Sequence, residues 1–305
     1  MSDTVLRSAP ATRRNTEMSN LQFALLVAVP VLLFLLIVVA YPLVYAFWIS
    51  FQEIGFFGGY TAEFVGGRNY GAVLGDADFW RSLWVSVRFT FESVVLTLLV
   101  GLGLAIILRD LPPALKWLRA IIIVPWAVSP YGAGILFSYL GRGQTGVGTS
   151  LAALFGSERT VNFIAANGVI EFLAIGAAWN MAPLLAFFLL ASMTTTPKRL
   201  YDLAAIDQMT RFETFRYVTL PPLRFTLFVF TCITTVLSLK AFDYIYTMTQ
   251  GGPGNASSVL TYQLYKVSFV NLDLGYGAAM SFYLLAFILL TTFLIYLIWG
   301  RERRR

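Results

Sequence analysis

The chain contains no histidine and only one cysteine in 305 residues. Without histidine there is no imidazole base near neutral pH and no imidazole metal ligand. Cys232 cannot form an internal disulfide, and it lies in an apolar run where a small buried side chain is its simplest role. Charge is scarce as well. Asp, Glu, Lys and Arg make up 12% of the residues, against roughly 25% in a soluble domain. Apolar residues fill that space, at 58% of the chain, and the mean hydropathy is +0.72. Such a composition excludes a soluble domain with one anchor and describes an all-α protein that crosses a membrane several times.

Six apolar runs are long enough to span, at about residues 21–49, 83–108, 120–140, 168–193, 223–248 and 277–299. The first is too long for a signal-peptide core and lacks a small-residue cleavage site, so it reads as a retained span. Several runs carry proline (Pro30, Pro42, Pro125, Pro130, Pro183), which membrane helices tolerate.

The net charge is +6, but its placement says more than its sum. With the N-terminus on one side, that side receives Arg7, Arg13, Arg14, Arg109, Lys116, Arg119, Lys198, Arg199, Arg211, Arg216, Arg224, Arg301, Arg303, Arg304 and Arg305. These are fifteen of the 22 basic residues. The opposite loops hold five: Arg68, Arg81, Arg142, Arg159 and Lys266. The bias places both termini in the cytoplasm. It divides the chain into a tail at 1–20, a six-helix domain at 21–299 and a basic tail at 300–305. The outer loops differ in kind, being rich in Gly and aromatics. One of them, Gly141–Ser150, has the glycines of a phosphate loop but not its lysine.

Charged groups inside the spans face the bundle or a wet cavity, because lipid cannot solvate them. Arg88 and Glu92 stand four apart on one helix face, Lys240 and Asp243 three apart, and Glu171 sits near the end of the fourth run. Each pair reads either as a local structural pair or as a solute contact. Trp179 and Asn180 offer what a sugar site uses, an aromatic face and an amide.

One stretch between spans is dense in charge, PKRLYDLAAIDQMTRFETFRYVTLPP at 197–222. Pro197 suits a helix start, and Leu200, Leu203 and Ile206 share one side. A turn at 208–210, a second short helix from Arg211 to Val218 and a stop at Pro221-Pro222 are expected, with Asp207 capping the second helix. This stretch resembles the EAA loop of the permease subunits of ABC importers. Asp202 falls on the Glu position, Ala204 on the second Ala, Asp207 on the Asp, Phe215 on the Phe and Pro221 on the Pro. Leu203, Gln208 and Met209 depart from the pattern, and Gln208 stands where the family has Gly.

A second stretch, AFDYIYTMTQGGPGNASSVLTYQLYKVSF at 241–269, resembles the end of the fifth core span in sugar-type permeases of the maltose and glycerol-phosphate kind. Gly275-Tyr276-Gly277-Ala278-Ala279, Phe64-Val65-Gly66 with Asn69-Tyr70, and Trp179 match further family positions. The resemblance covers nearly the whole chain. It implies the type I importer permease fold and a place in a bacterial or archaeal cytoplasmic membrane. It also implies a subunit that is not itself the ATPase and binds no cofactor, since ATP and Mg would sit on partners. Those partners would be a second permease, two ATP-binding subunits and an external solute-binding protein. The solute would be a sugar or related polyol. Lipid is the expected surrounding and no nucleic-acid partner is expected. Asp202, Ala204, Asp207, Gln208, Phe215 and Pro221 would couple to the ATPase. Trp179, Asn180, Lys240, Asp243, Arg88 and Glu92 are the candidates for the solute pathway. A stand-alone secondary transporter or channel is the other reading. It would leave the 197–222 loop without a purpose and would need coupling-ion ligands or inverted repeats.

Overall fold

The computed structural model describes residues 19–56, 59–144, 146–156, 160–165 and 167–300. The two terminal tails and Arg159 lie outside them, apart from Ser19, Asn20 and Gly300. The chain divides into two compact units, Met1–Trp48 and Ile49–Arg305. In the first, α1 (Asn20–Leu35) starts at Ser19. The Ser19 hydroxyl accepts from the Gln22 amide at 3.2 Å, and the Ser19 amide donates to Gln22 Oε1 at 3.0 Å. This reciprocal cap satisfies amides that the first turn cannot. A widened turn, Leu36–Ala40, leads into α2 (Tyr41–Ile49). Pro42 has no amide hydrogen to donate back, and the wider turn lies just ahead of it. None of the apolar window in Leu21–Ile49 is buried, as suits a helix solvated by lipid.

The second unit opens on a hairpin. β1 (Gln52–Gly55) runs antiparallel to β2 (Thr61–Phe64), with Gln52 opposite Phe64. It departs from an all-α reading, and it has a clear task. The Asn69 amide, on α3 (Arg68–Gly75), donates to Ser50 O at 3.0 Å and Gln52 O at 2.9 Å. Arg68 pairs with Glu53. Gly275 passes so close that a Cβ there would collide with Gln52 O. Three stretches far apart in sequence therefore meet at one corner.

The long helix α4 (Ala77–Arg109) carries a buried stripe, Ser86, Thr90, Ser93, Thr97, Gly101 and Ala105. Small residues at this spacing let helices approach without a hydrophobic drive, which lipid removes. Gly101 is the tightest point: a Cβ there would meet Leu185 Cδ2 at 2.7 Å.

The third run is not one straight helix. After a 3-10 turn at Pro113–Leu115 come α5 (Leu118–Ile122), α6 (Val124–Ala127) and α7 (Pro130–Gly141). The two halves, Pro113–Ala127 and Pro130–Gly141, meet at 94°. Pro130 drives Ser129 out of the helical region, to φ −60° and ψ 148°, and the Ser129 hydroxyl then accepts from the Gly132 amide at 3.2 Å. Five helices are thus long and apolar enough to span alone, and the bent pair makes the sixth if taken as one.

α8 (Val147–Leu154) leads to α9 (Val169–Thr194), the most central span, with 61% of its apolar window buried. Next come α10 (Lys198–Ile206), α11 (Arg211–Thr214), a widened turn at Phe215–Thr219 and α12 (Leu220–Leu239). The last three form one continuous helix, Arg211–Leu239. Pro221 and Pro222 therefore do not end the second loop helix. They sit at its passage into the membrane, where the wide turn accommodates the two amide hydrogens they lack. The fifth run breaks instead at Lys240–Phe242, before α13 (Asp243–Met248). α14 (Leu260–Tyr265) and α15 (Leu274–Gly300) complete the chain. Only 6% of the apolar window of α15 is buried, so it lies at the rim.

Candidate functional sites

The loop from Pro197 to Thr219 is built by local backbone chemistry. α10 ends at Asp207. The Gln208 amide donates to Ala205 O at 3.1 Å and the Met209 amide to Ala204 O at 2.9 Å. This pair of reversed bonds closes a helix when the residue after the cap is left-handed. Gln208 is that residue, with φ 52°. The turn that glycine would make easily is made here by glutamine, at a local strain of about 1 kcal/mol. Asp207 does not cap the next helix, contrary to expectation. Thr210 does: its hydroxyl accepts from the Glu213 amide at 3.3 Å, and its own amide donates to Glu213 Oε2 at 2.8 Å. A Thr-x-x-Glu pattern was there to be read in the sequence.

Asp202 and Asp207 are exposed and Ala204 is buried against the chain. Phe215 is half-buried and faces a cleft beside Arg109. The aromatic that projects is Phe212, 68% exposed, with Ile206 at 74%. Leu200 and Leu203 are exposed too. An apolar knob therefore stands exposed on the loop among the described residues.

The second site is a cavity of about 150 Å³ between α4, α7, α9, α12 and α13. Asn180, Lys240, Asp243, Phe242, Thr97 and Thr234 contribute to its walls. Both interrupted runs end here. Asn180 is buried, and its amide donates to Pro125 O at 2.7 Å and Val128 O at 2.9 Å, bridging the bend; the Val128 amide also donates to Pro125 O at 3.3 Å. It is a brace as well as a wall. Trp179 does not line the cavity; it packs on Phe137 with ring centroids 5.5 Å apart. Lys240 closes α12 and Asp243 opens α13. Neither takes part in an ion pair among the described residues. They are not a local structural pair. Thr97 and Thr234 bring buried hydroxyls with no hydrogen-bond partner among the described residues. The cavity wall thus combines one cation, one anion, hydroxyl-bearing Thr97, Thr234, Ser238 and Tyr244, and aromatic surface for a polar guest.

Arg88 is different. It bonds Glu92 at 2.9 Å and also Glu171, tying α4 to α9. It stands outside the cavity wall, so Arg88 and Glu92 form a clamp.

Scanning against protein-family models gives no match. Individual relatives are clear. The chain is 35% identical over 284 residues to the trehalose/maltose transport system permease protein MalF of Thermococcus litoralis, covering 92% of this chain and 94% of that protein. It is 30% identical over 287 residues to the sulfoquinovosyl glycerol transport system permease protein SmoG of Agrobacterium fabrum, covering 94% and 93%. Among solved structures, a bacterial ABC transporter involved in the import of the acidic polysaccharide alginate superposes with a TM-score of 0.79. It covers 92% of this chain and 95% of that chain at 17% identity, which speaks for the fold. The protein belongs to the permease subunits of sugar ABC importers and has their type I fold.

Proposed function

We propose that this chain forms half of the transmembrane pathway of an ATP-driven importer for a sugar or a related polyol. A second permease would form the other half, two ATP-binding subunits would dock on the cytoplasmic face, and an external binding protein would deliver the solute. The names of the relatives, with their sugar and sugar-derivative solutes, support that class. The fifteen-to-five distribution of basic residues supports cytoplasmic termini and a cytoplasmic 197–222 loop.

The observation that carries this reading is the exposed apolar knob Leu203, Ile206 and Phe212 on a loop with a fixed turn. Apolar side chains grouped on a surface rimmed by charge mark an interaction site. A groove in an ATPase would cover this one, and closure of the ATPases would then move α10 and α11. Movement would pass along the continuous helix Arg211–Leu239 to its end at Lys240, on the cavity wall. Alternating access follows from this lever, with Lys240, Asp243 and Asn180 along the solute path. ATP and Mg would remain on the partners. The test is co-purification of the chain from its native membrane in mild detergent. A nucleotide-binding subunit should come with it at a fixed ratio, and solute should stimulate ATP hydrolysis in the reconstituted complex. Solute transport by the chain alone, without ATP, would favour the secondary-transporter reading.

A further inference from the structure

The cleft beside the loop shares Phe215 and Arg211 with the moving parts described above, and it is also a binding surface in its own right. It measures about 540 Å³, and Arg109, Asp110, Arg211, Thr214, Ile106 and Phe215 contribute to its walls. Arg109 is the last residue of the span Ala77–Arg109, and Arg211 is the first of the helix Arg211–Leu239. The cleft therefore opens where the span Ala77–Arg109 leaves the apolar zone, beside the headgroup layer, with Arg211 standing ahead of the apolar run of its own helix. The Nε and Nη2 of Arg109 donate to Asp110 at 2.8 and 3.2 Å, so these two charges cancel. Arg211 is exposed and pairs with no carboxylate among the described residues. One net positive charge is left over, with the Thr214 hydroxyl nearby and an apolar floor at Ile106 and Phe215.

We propose that this cleft binds the headgroup of an anionic membrane lipid of the phosphatidylglycerol type. The phosphodiester carries one negative charge, matching the one net cation. The first acyl carbons meet Ile106 and Phe215, and the glycerol hydroxyls can donate to the Asp110 carboxylate. Free phosphate fits less well, because its second charge would face Asp110. The site stands whichever face of the membrane is cytoplasmic, and it does not depend on the ATPases.

The test uses the full chain in detergent micelles doped with phosphatidylglycerol or phosphatidylcholine, with retained lipid counted by native mass spectrometry. Phosphatidylglycerol should be retained about fivefold over phosphatidylcholine, the effect of one arginine at a headgroup. Arg211→Gln should bring the two lipids to parity, while Arg211→Lys keeps the preference. Arg216→Gln removes the same charge from the same helix outside the cleft, and it should change nothing. Equal retention of the two lipids by the wild-type chain would overturn the proposal, as would equal losses in Arg211→Gln and Arg216→Gln. Displacement of the lipid by excess inorganic phosphate would assign the cleft to a free anion instead. If Arg211→Gln does not fold, the wild-type ratio and the Arg216→Gln control still decide.

Discussion

The loop and the cavity are built by opposite means. At the loop every defining bond is local: Met209 to Ala204, Gln208 to Ala205, Glu213 to Thr210. At the cavity the defining bonds cross the fold, with Asn180 reaching 55 and 52 residues back to Pro125 and Val128. The exposed residues of the loop can be altered without disturbing the spans, whereas Ala204 and Tyr201, the latter beneath Arg109, tie it to them. The cavity cannot be altered in this way, because its walls also hold the broken helices in place.

The sharpest way to break this comparison is Asn180→Leu. It removes a donor from each of two half-buried carbonyls, of which Pro125 O keeps the Val128 amide, so the loss centres on Val128 O at about 1–3 kcal/mol. A large fall in thermal stability of the detergent-solubilised chain is expected along with lost uptake. Unchanged stability with lost uptake would make Asn180 a solute contact alone.

Gly101→Val comes next. Its Cβ would collide with Leu185, and overpacking of this kind costs about 1–3 kcal/mol. The melting temperature should fall with no change in solute preference in whatever protein still assembles.

Lys240→Met separates the two kinds of charge. Lys240 has no carboxylate partner among the described residues, so uptake should collapse with stability nearly unchanged. Arg88→Met, which leaves Glu92 and Glu171 unpaired, should lower stability first. Similar stability losses in both variants would mean that Lys240, too, is structural.

The smallest effect is expected at the loop. Gln208→Gly relieves a left-handed glutamine and should stabilise α10 against proteolysis by up to about 1 kcal/mol while transport persists. A loss of stability would show that the Gln208 side chain, not its backbone, holds the turn.

The same contrast governs what the sequence could tell. Apolar run length located the spans, and α9 and α4 differ from expectation mainly at their ends. Motif spacing located the loop and the turn at Gln208, because both are local. Hydropathy has no direction, so the 94° bend at Pro130 was invisible in it. Proline is an ambiguous signal too: Pro221-Pro222 read as a stop, yet the widened turn at Phe215–Thr219 carries the helix through. Charge spacing was equally double-edged. Arg88 and Glu92 do pair, but Glu171 completes the clamp from another helix. Lys240 and Asp243 have pairing distance in sequence yet not in space, because the helix breaks between them.

The central claim is that the exposed knob joins this permease to its motor, and Ile206→Ser combined with Phe212→Ala tests it most directly. Both side chains are largely exposed among the described residues, so the variant should reach the membrane with wild-type thermal stability. Quantified co-purification of the ATP-binding subunit is the measurement. The account predicts that it falls to background, taking solute-stimulated ATP hydrolysis with it. Full co-purification with undiminished stimulation would contradict the account.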